Sequence, residues 1–205
     1  HFNYLLFFTF WFYPFLHSRT SSENLSISLF VISFCYLYQT IIDKKNYFYF
    51  LPNFLLGILL GISIVIRLNL IFTILPIFLW VLIFKFDFKK IFIVLLGVLS
   101  ALLFGIVIDS IAYNYFTISY WNFFYWNIIS GRMSDFGHQP WWFYFNSIII
   151  DLAPFLSVFF IFGLLLYWIK NPLSVFSFLT LFTIIFISFF SHKETRYIFP
   201  IYFFA

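Results

Sequence analysis

Long apolar runs separated by short polar breaks dominate the chain. A helix that crosses a bilayer needs about 20 apolar residues, and the runs divide near that length. They predict a partial span over Asn3–Leu16 and spans over Leu25–Ile42, Phe50–Ile66, Leu68–Phe84, Ile91–Ile108, Ser147–Ile169 and Leu173–Phe190. An eighth begins near Tyr197. Asn171-Pro172 reads as the start of the seventh, a capping Asn followed by the residue whose missing N–H a first turn does not need. Arg67 separates the short third and fourth spans, and Asp109–Asn146 is the one long interruption. The expected fold is all-α, a polytopic transmembrane helical protein of seven to eight spans. Residues 1–205 form one multi-pass membrane domain, with 109–146 as an extramembrane loop. Both ends fall inside apolar runs, so the chain reads as a fragment truncated at each end.

Composition removes the competing classes. Of 205 residues, 64% are hydrophobic and 9% charged, where a soluble domain carries about 25% charged residues. Mean hydropathy is +1.03. A disordered chain needs the opposite balance, and a single cysteine, Cys35, excludes a disulfide scaffold. The net charge of +4 is spread along the chain with no cluster beyond Lys89-Lys90, so no nucleic-acid partner is expected. The 37 Phe residues, with frequent Ile, Asn and Lys, read as an AT-rich coding bias.

Charge then orients the spans. Alternation places Lys44, Lys45, Lys85, Lys89, Lys90 and Lys170 on one face. Arg19, Arg67, Arg132, Lys193 and Arg196 fall on the other, with dense Trp and Tyr. Lysines in short loops mark the cytoplasmic side. The opposite face carries every arginine and the aromatic residues used in recognition, so the active face is expected to be lumenal or periplasmic. Interface anchoring is the plainer account of the same aromatic residues.

Two polar clusters and a lone arginine interrupt the apolar sequence. His192-Lys193-Glu194-Thr195-Arg196 sets four titratable side chains at a membrane edge, which is costly without a reason. One reading is a solvated turn with an internal Glu–Arg pair. The other is an anion site in which Lys193 and Arg196 hold a phosphate while Glu194 orients them or acts as acid or base. Arg19 and Glu23 lie four apart, which suits either a local pair at a helix start or part of the same site. Arg67 stands alone in apolar sequence, so it faces a cavity or snorkels to the interface. Gly57 and Gly61 permit close helix packing.

The 109–146 loop holds Trp121, Trp126, Trp141 and Trp142 with Tyr144, Asp109, Arg132, Asp135 and His138. Aromatic faces with scattered carboxylates suit a sugar, and equally suit a helix lying in the bilayer interface. No His, Cys or carboxylate set has metal-ligand spacing, and there is no phosphate-cradling glycine loop. No cofactor is required by these residues, and a divalent metal is the one left open.

Several segments, in order, resemble one family. His192–Pro200, HKETRYIFP, is similar to the HKExRF motif of the mannosyltransferases of the Alg9, Alg12 and PIG-B type, glycosyltransferase family 22, with Tyr197 at the aromatic position. Phe136–Tyr144 resembles that family's YGxxPWHWY segment, with Trp142-Phe143 in place of His-Trp. The Arg19–Glu23 segment, the run from Gly61 through Arg67 to Pro76, and Asp109 with Tyr113, Asn122 and Asn127 resemble further family segments.

The resemblance implies a GT-C type glycosyltransferase. Its donor would be a polyprenyl- or dolichyl-phosphate sugar, usually mannose. Its acceptor would be a glycan or glycolipid, and its membrane that of the ER or the bacterial inner membrane. It also implies a catalytic carboxylate in a first lumenal loop with a Pro-Asp-Glu segment, which would precede His1. Transfer with inversion needs a base for the acceptor hydroxyl and neutralisation of the leaving phosphate. Lys193, Arg196, Arg67 and Arg19 are the expected phosphate ligands, because cationic donors match phosphate oxygens. Asp109 and Glu194 are the candidate catalytic carboxylates. His192, Glu23, Trp141, Trp142 and Tyr144 are the expected substrate-binding or supporting residues. A lipid-linked sugar flippase or another membrane transporter is the alternative, and a non-catalytic subunit of a glycosylation complex is a third reading.

Overall fold

The computed structural model describes residues 21–42, 50–85, 87–151 and 154–202, and every regular element among them is helical. The long helices are α1 (Ser22–Ile42), α2 (Phe50–Ile66), α3 (Ile71–Phe84) and α4 (Phe88–Tyr113). After α4 come the short α5 (Ser119–Phe124), one π turn (Tyr125–Ile129) and a 3-10 turn (Arg132–Phe136). Then follow α6 (Phe143–Asp151), α7 (Pro154–Lys170) and α8 (Val175–Ser188). A 3-10 turn (Thr195–Ile198) runs directly into α9 (Phe199–Tyr202). The partial span at Asn3–Leu16 lies outside the described residues.

Glycines set the closest crossing. A Cβ on Gly57 would stand 2.1 Å from the Val94 carbonyl oxygen, and one on Gly97 would stand 2.2 Å from that of Phe54. One turn on, a Cβ at Gly61 would meet the Ala101 side chain at 2.6 Å. The spacing Gly57…Gly61 thus packs against Gly97…Ala101, and the two backbones touch, as small residues four apart allow. Around this pair α1, α3 and α8 close a core containing Phe30, Phe34, Leu60, Ile74, Val94 and Leu179. A second core forms from α6, α7, α8 and the segment Ile198–Tyr202.

Pro76 sits inside α3 and cannot donate to the carbonyl four residues back. The fully buried Thr183 of α8 places its hydroxyl 3.4 Å from that carbonyl, on Phe72. Trp indoles tie the helix ends together. Trp80 Nε1 donates to the Leu173 carbonyl at 2.8 Å and Trp168 Nε1 to Thr180 Oγ1 at 2.8 Å.

Three expectations change. The single span over Ser147–Ile169 falls on two helices, α6 and α7, and the Ser157 hydroxyl donates to the Ile149 carbonyl eight residues back at 3.1 Å, a contact one straight helix does not allow. Helix α8 starts at Val175 and not at Asn171-Pro172, because the Ser174 hydroxyl accepts from the N–H groups of Phe176 and Ser177. The segment from Tyr197 enters as a 3-10 turn followed by a four-residue helix. Among the described residues α4 is long and apolar enough to cross a bilayer by itself. Residues Ser157–Lys170 of α7 with α8 meet the same measure only as a pair bent by 120°. Helix α2 and the stretch Leu68–Phe84 are shorter apolar helices. The all-α expectation holds.

Candidate functional site

Three breaks in the helical structure converge on one cluster of charges. Glu23 lies in the first turn of α1, where the exposed N–H groups favour an anion. Arg67 occupies the extended residue (φ −144°, ψ 102°) between α2 and the 3-10 turn Leu68–Leu70. Arg196 lies in the 3-10 turn before α9. Glu23 Oε1 accepts a hydrogen bond from Arg67 Nη2 and another from Arg196 Nη1, the latter at 3.1 Å. Arg67 Nε also donates to Ser22 Oγ at 2.9 Å. Glu194 accepts from Arg196 Nε through Oε2, and its Oε1 lies 3.3 Å from His192 Nε2.

The result is a chain of alternating charge, Arg67–Glu23–Arg196–Glu194, with His192 against its end, assembled from segments up to 173 residues apart. Burial pushes the Glu23 carboxyl up, but the bonds from Arg67 and Arg196 outweigh it and hold the group at about 2. The Arg196 bond holds Glu194 below the usual carboxylate range, against the opposing effect of burial and with help from His192. Both carboxylates are therefore ionised and engaged. That suits orienting two guanidiniums better than taking a proton.

Lys193 stands apart from this chain although it is next to it in sequence. It is 5% exposed, and its ammonium donates to the carbonyl oxygens of Gln139 at 2.9 Å and Phe190 at 2.5 Å. Burial lowers its pKa. The Gln139 N–H returns a bond to the Ser191 carbonyl at 2.9 Å, and the Phe136 ring lies 5.8 Å from that of His192.

Two cavities share a wall. The smaller, about 30 Å³, is bounded by Glu23, Ser26, Arg67, Asn69, Arg196 and Tyr197, room for about one water molecule. The larger, about 340 Å³, is nearly all apolar, lined among others by Phe72, Trp121, Phe124, Ile128, Ile187 and Phe190. Asn69 and Tyr197 border both.

The remaining expected residues are dispersed. Asp109 is half-buried near the end of α4 and charges the surroundings of the Tyr120 phenol, but it lines neither cavity. Trp141 and Trp142 are exposed on the turn before α6. Tyr144 is not open to a sugar: it is 1% exposed, inside the second core, and burial raises its pKa. Arg19 lies outside the described residues. Among those described, no three His, Cys or carboxylate side chains gather as for a metal ion. Sequence reasoning missed Ser22, Asn69 and the Gln139 carbonyl as parts of the site. Asn69 carried the one visible hint, a polar side chain two residues after Arg67 in apolar sequence.

The whole chain, residues 1–205, matches the Alg9-like mannosyltransferase family and belongs to it. Among curated relatives it is similar to GPI mannosyltransferase 3 of Candida albicans, 30% identical over 143 residues. That alignment covers 69% of this chain and 28% of the relative, so the chain spans well under half of the relative's length. No solved structure matches it.

Proposed function

We propose that the chain is the donor-binding part of a membrane-embedded GT-C type glycosyltransferase. It transfers mannose from a polyprenyl- or dolichyl-phosphate donor to a glycan or glycolipid on the lumenal or periplasmic side. The observation that carries this reading is the paired cavity. A cationic cluster built on Arg67 and Arg196 adjoins an apolar chamber of about 340 Å³ across Asn69 and Tyr197. A lipid phosphate has that polarity, an anionic head on an apolar chain. Guanidinium forks neutralise the leaving phosphate while Glu23 and Glu194 hold them in place. With both carboxylates paired, the base that takes the acceptor proton lies outside this cluster. Asp109 is the reserve candidate, and the upstream loop of the family is the first.

A multi-pass membrane setting suits the surface. Phe92, Leu99, Leu103, Phe104 and Ile111 form a large exposed apolar face on α4, of a size that water does not favour. The ER membrane or a bacterial inner membrane is the expected location. The name of the yeast relative favours a GPI-type glycolipid as acceptor.

The test is transfer from radiolabelled polyprenyl-phosphate mannose to a membrane acceptor pool by the full-length protein, beside Arg67→Ala and Arg196→Ala. Each variant is expected to lose about a hundredfold or more in kcat/KM at normal protein level, the scale of one lost charge stabiliser. Wild type that moves the lipid-sugar across vesicles without transferring mannose would instead establish the flippase. Unchanged activity in both variants would support a non-catalytic subunit.

A further inference from the structure

We propose that Lys193 is a positioning residue that straps the loop Phe136–Trp142 onto the arginine cluster, leaving the donor phosphate to Arg67 and Arg196. The proposal rests on the mannosyl-transfer reading above and assigns a task within that same site. An ammonium has three N–H donors and no fork. Two of these are directed at carbonyls 51 residues apart in the chain, those of Gln139 and Phe190. The Gln139 N–H closes the strap on the Ser191 carbonyl, so one peptide unit of the loop is held through both its oxygen and its neighbouring amide. The Phe136 ring against His192 adds an apolar contact at the near end of the same loop.

Beyond the two carbonyls Lys193 keeps one N–H, but it is 5% exposed and lines neither cavity, which leaves an incoming anion little access to it. The guanidiniums have more freedom. The Arg67 and Arg196 side chains are 33% and 46% exposed, border the small cavity and carry five N–H donors each. Lys193 therefore acts on the loop. Trp141 and Trp142, the exposed aromatic residues offered to the sugar, follow the held Gln139 by two and three residues. Releasing Gln139 would let their orientation drift while the phosphate ligands stay intact.

The experiment compares Lys193→Met and Arg196→Ala in the full-length protein by two measurements. One is amide hydrogen exchange over residues 136–143 without donor, and the other is steady-state transfer with the donor varied. Lys193→Met is expected to speed exchange at Gln139 by about tenfold in the empty protein. It should lower kcat by about tenfold while donor KM stays within about twofold. Arg196→Ala should raise donor KM and leave that exchange unchanged. If Lys193→Met fails to fold, Gln139→Pro removes the amide that reaches Ser191 and leaves every charge in place; the same fall in kcat at steady donor KM is expected. Wild-type exchange in Lys193→Met, or a donor KM that rises in it or in Gln139→Pro as it does in Arg196→Ala, would overturn the strap. A wild-type protein that transfers no mannose, with Gln139 still freed by Lys193→Met, would remove the mannosyl-transfer reading and retain the strap.

Discussion

At the scale of single residues, Glu23 is the side chain on which the cluster turns. Its carboxylate lies between two guanidiniums that would otherwise face each other, and it sits just ahead of the apolar run of α1. Its folded pKa, about 2, is below the ordinary 4.5. A depressed carboxylate stabilises the fold above the unfolded pKa, and that stability is lost as pH falls through the folded one. The melting temperature of the detergent-solubilised protein should therefore drop between pH 4.5 and about 2. Glu23→Gln should be less stable at pH 7 by about 2 kcal/mol, the worth of hydrogen bonds to charged groups, and should show a flatter acid limb. A variant that melts like wild type at both ends of that range would mean the carboxylate contributes nothing to the fold.

These charges were legible in the sequence, since Glu23, Arg67, Glu194 and Arg196 interrupt apolar runs where charge is expensive. The local Glu194–Arg196 pair was legible too, but the partners distant in sequence were not. Helical spacing offered Glu23 the local partner Arg19, which lies outside the described residues, and gave no sign of Arg67 and Arg196, 44 and 173 residues away. Lys193 shows the same limit from the other side. Adjacency to Glu194 grouped it with the phosphate ligands, and only the tertiary position of the Gln139 carbonyl separates it from them.

At the scale of elements, hydrophobic run length located the end of α2 at Ile66, because Arg67 ends it with an extended backbone. Run length could not show that Ser147–Ile169 is two helices, since it passes over Asp151, the last residue of α6, and Pro154. The glycines could be read as packing residues, and the structure supplies their partner helix. That pairing gives a contrast of two substitutions. Gly97→Val must push the Phe54 carbonyl away from a Cβ that would start 2.2 Å from it. Overpacking of this kind costs about 3 kcal/mol. Gly163→Ala, in α7, meets nothing within 4 Å, and should stabilise the helix by about 0.5–1 kcal/mol. Thermal melts of both variants check the crossing; equal melting temperatures would mean α2 and α4 are not in backbone contact.

At the scale of the whole molecule, the proposed reading assigns the head and the chain of the donor to the two cavities. Tyr197 and Asn69 stand at their boundary, so on that reading the phosphate lies among the arginines and the first isoprene units lie against Phe72, Trp121 and Phe124. The two halves should then fail independently. Ile128→Trp puts added bulk into the apolar chamber from a partly exposed position, without touching a charge. It is expected to raise KM for a long-chain polyprenyl-phosphate mannose by about tenfold, equivalent to losing about two buried methylenes. It should leave KM unchanged for an analogue carrying a single isoprene unit. Arg196→Ala should raise KM for both donors alike, because both carry the phosphate. Steady-state transfer with the two donors, measured in wild type and the two variants, gives four ratios. If Ile128→Trp slows the short donor as much as the long one, the chamber does not hold the lipid chain, and the amphiphile enters from another side of the cluster.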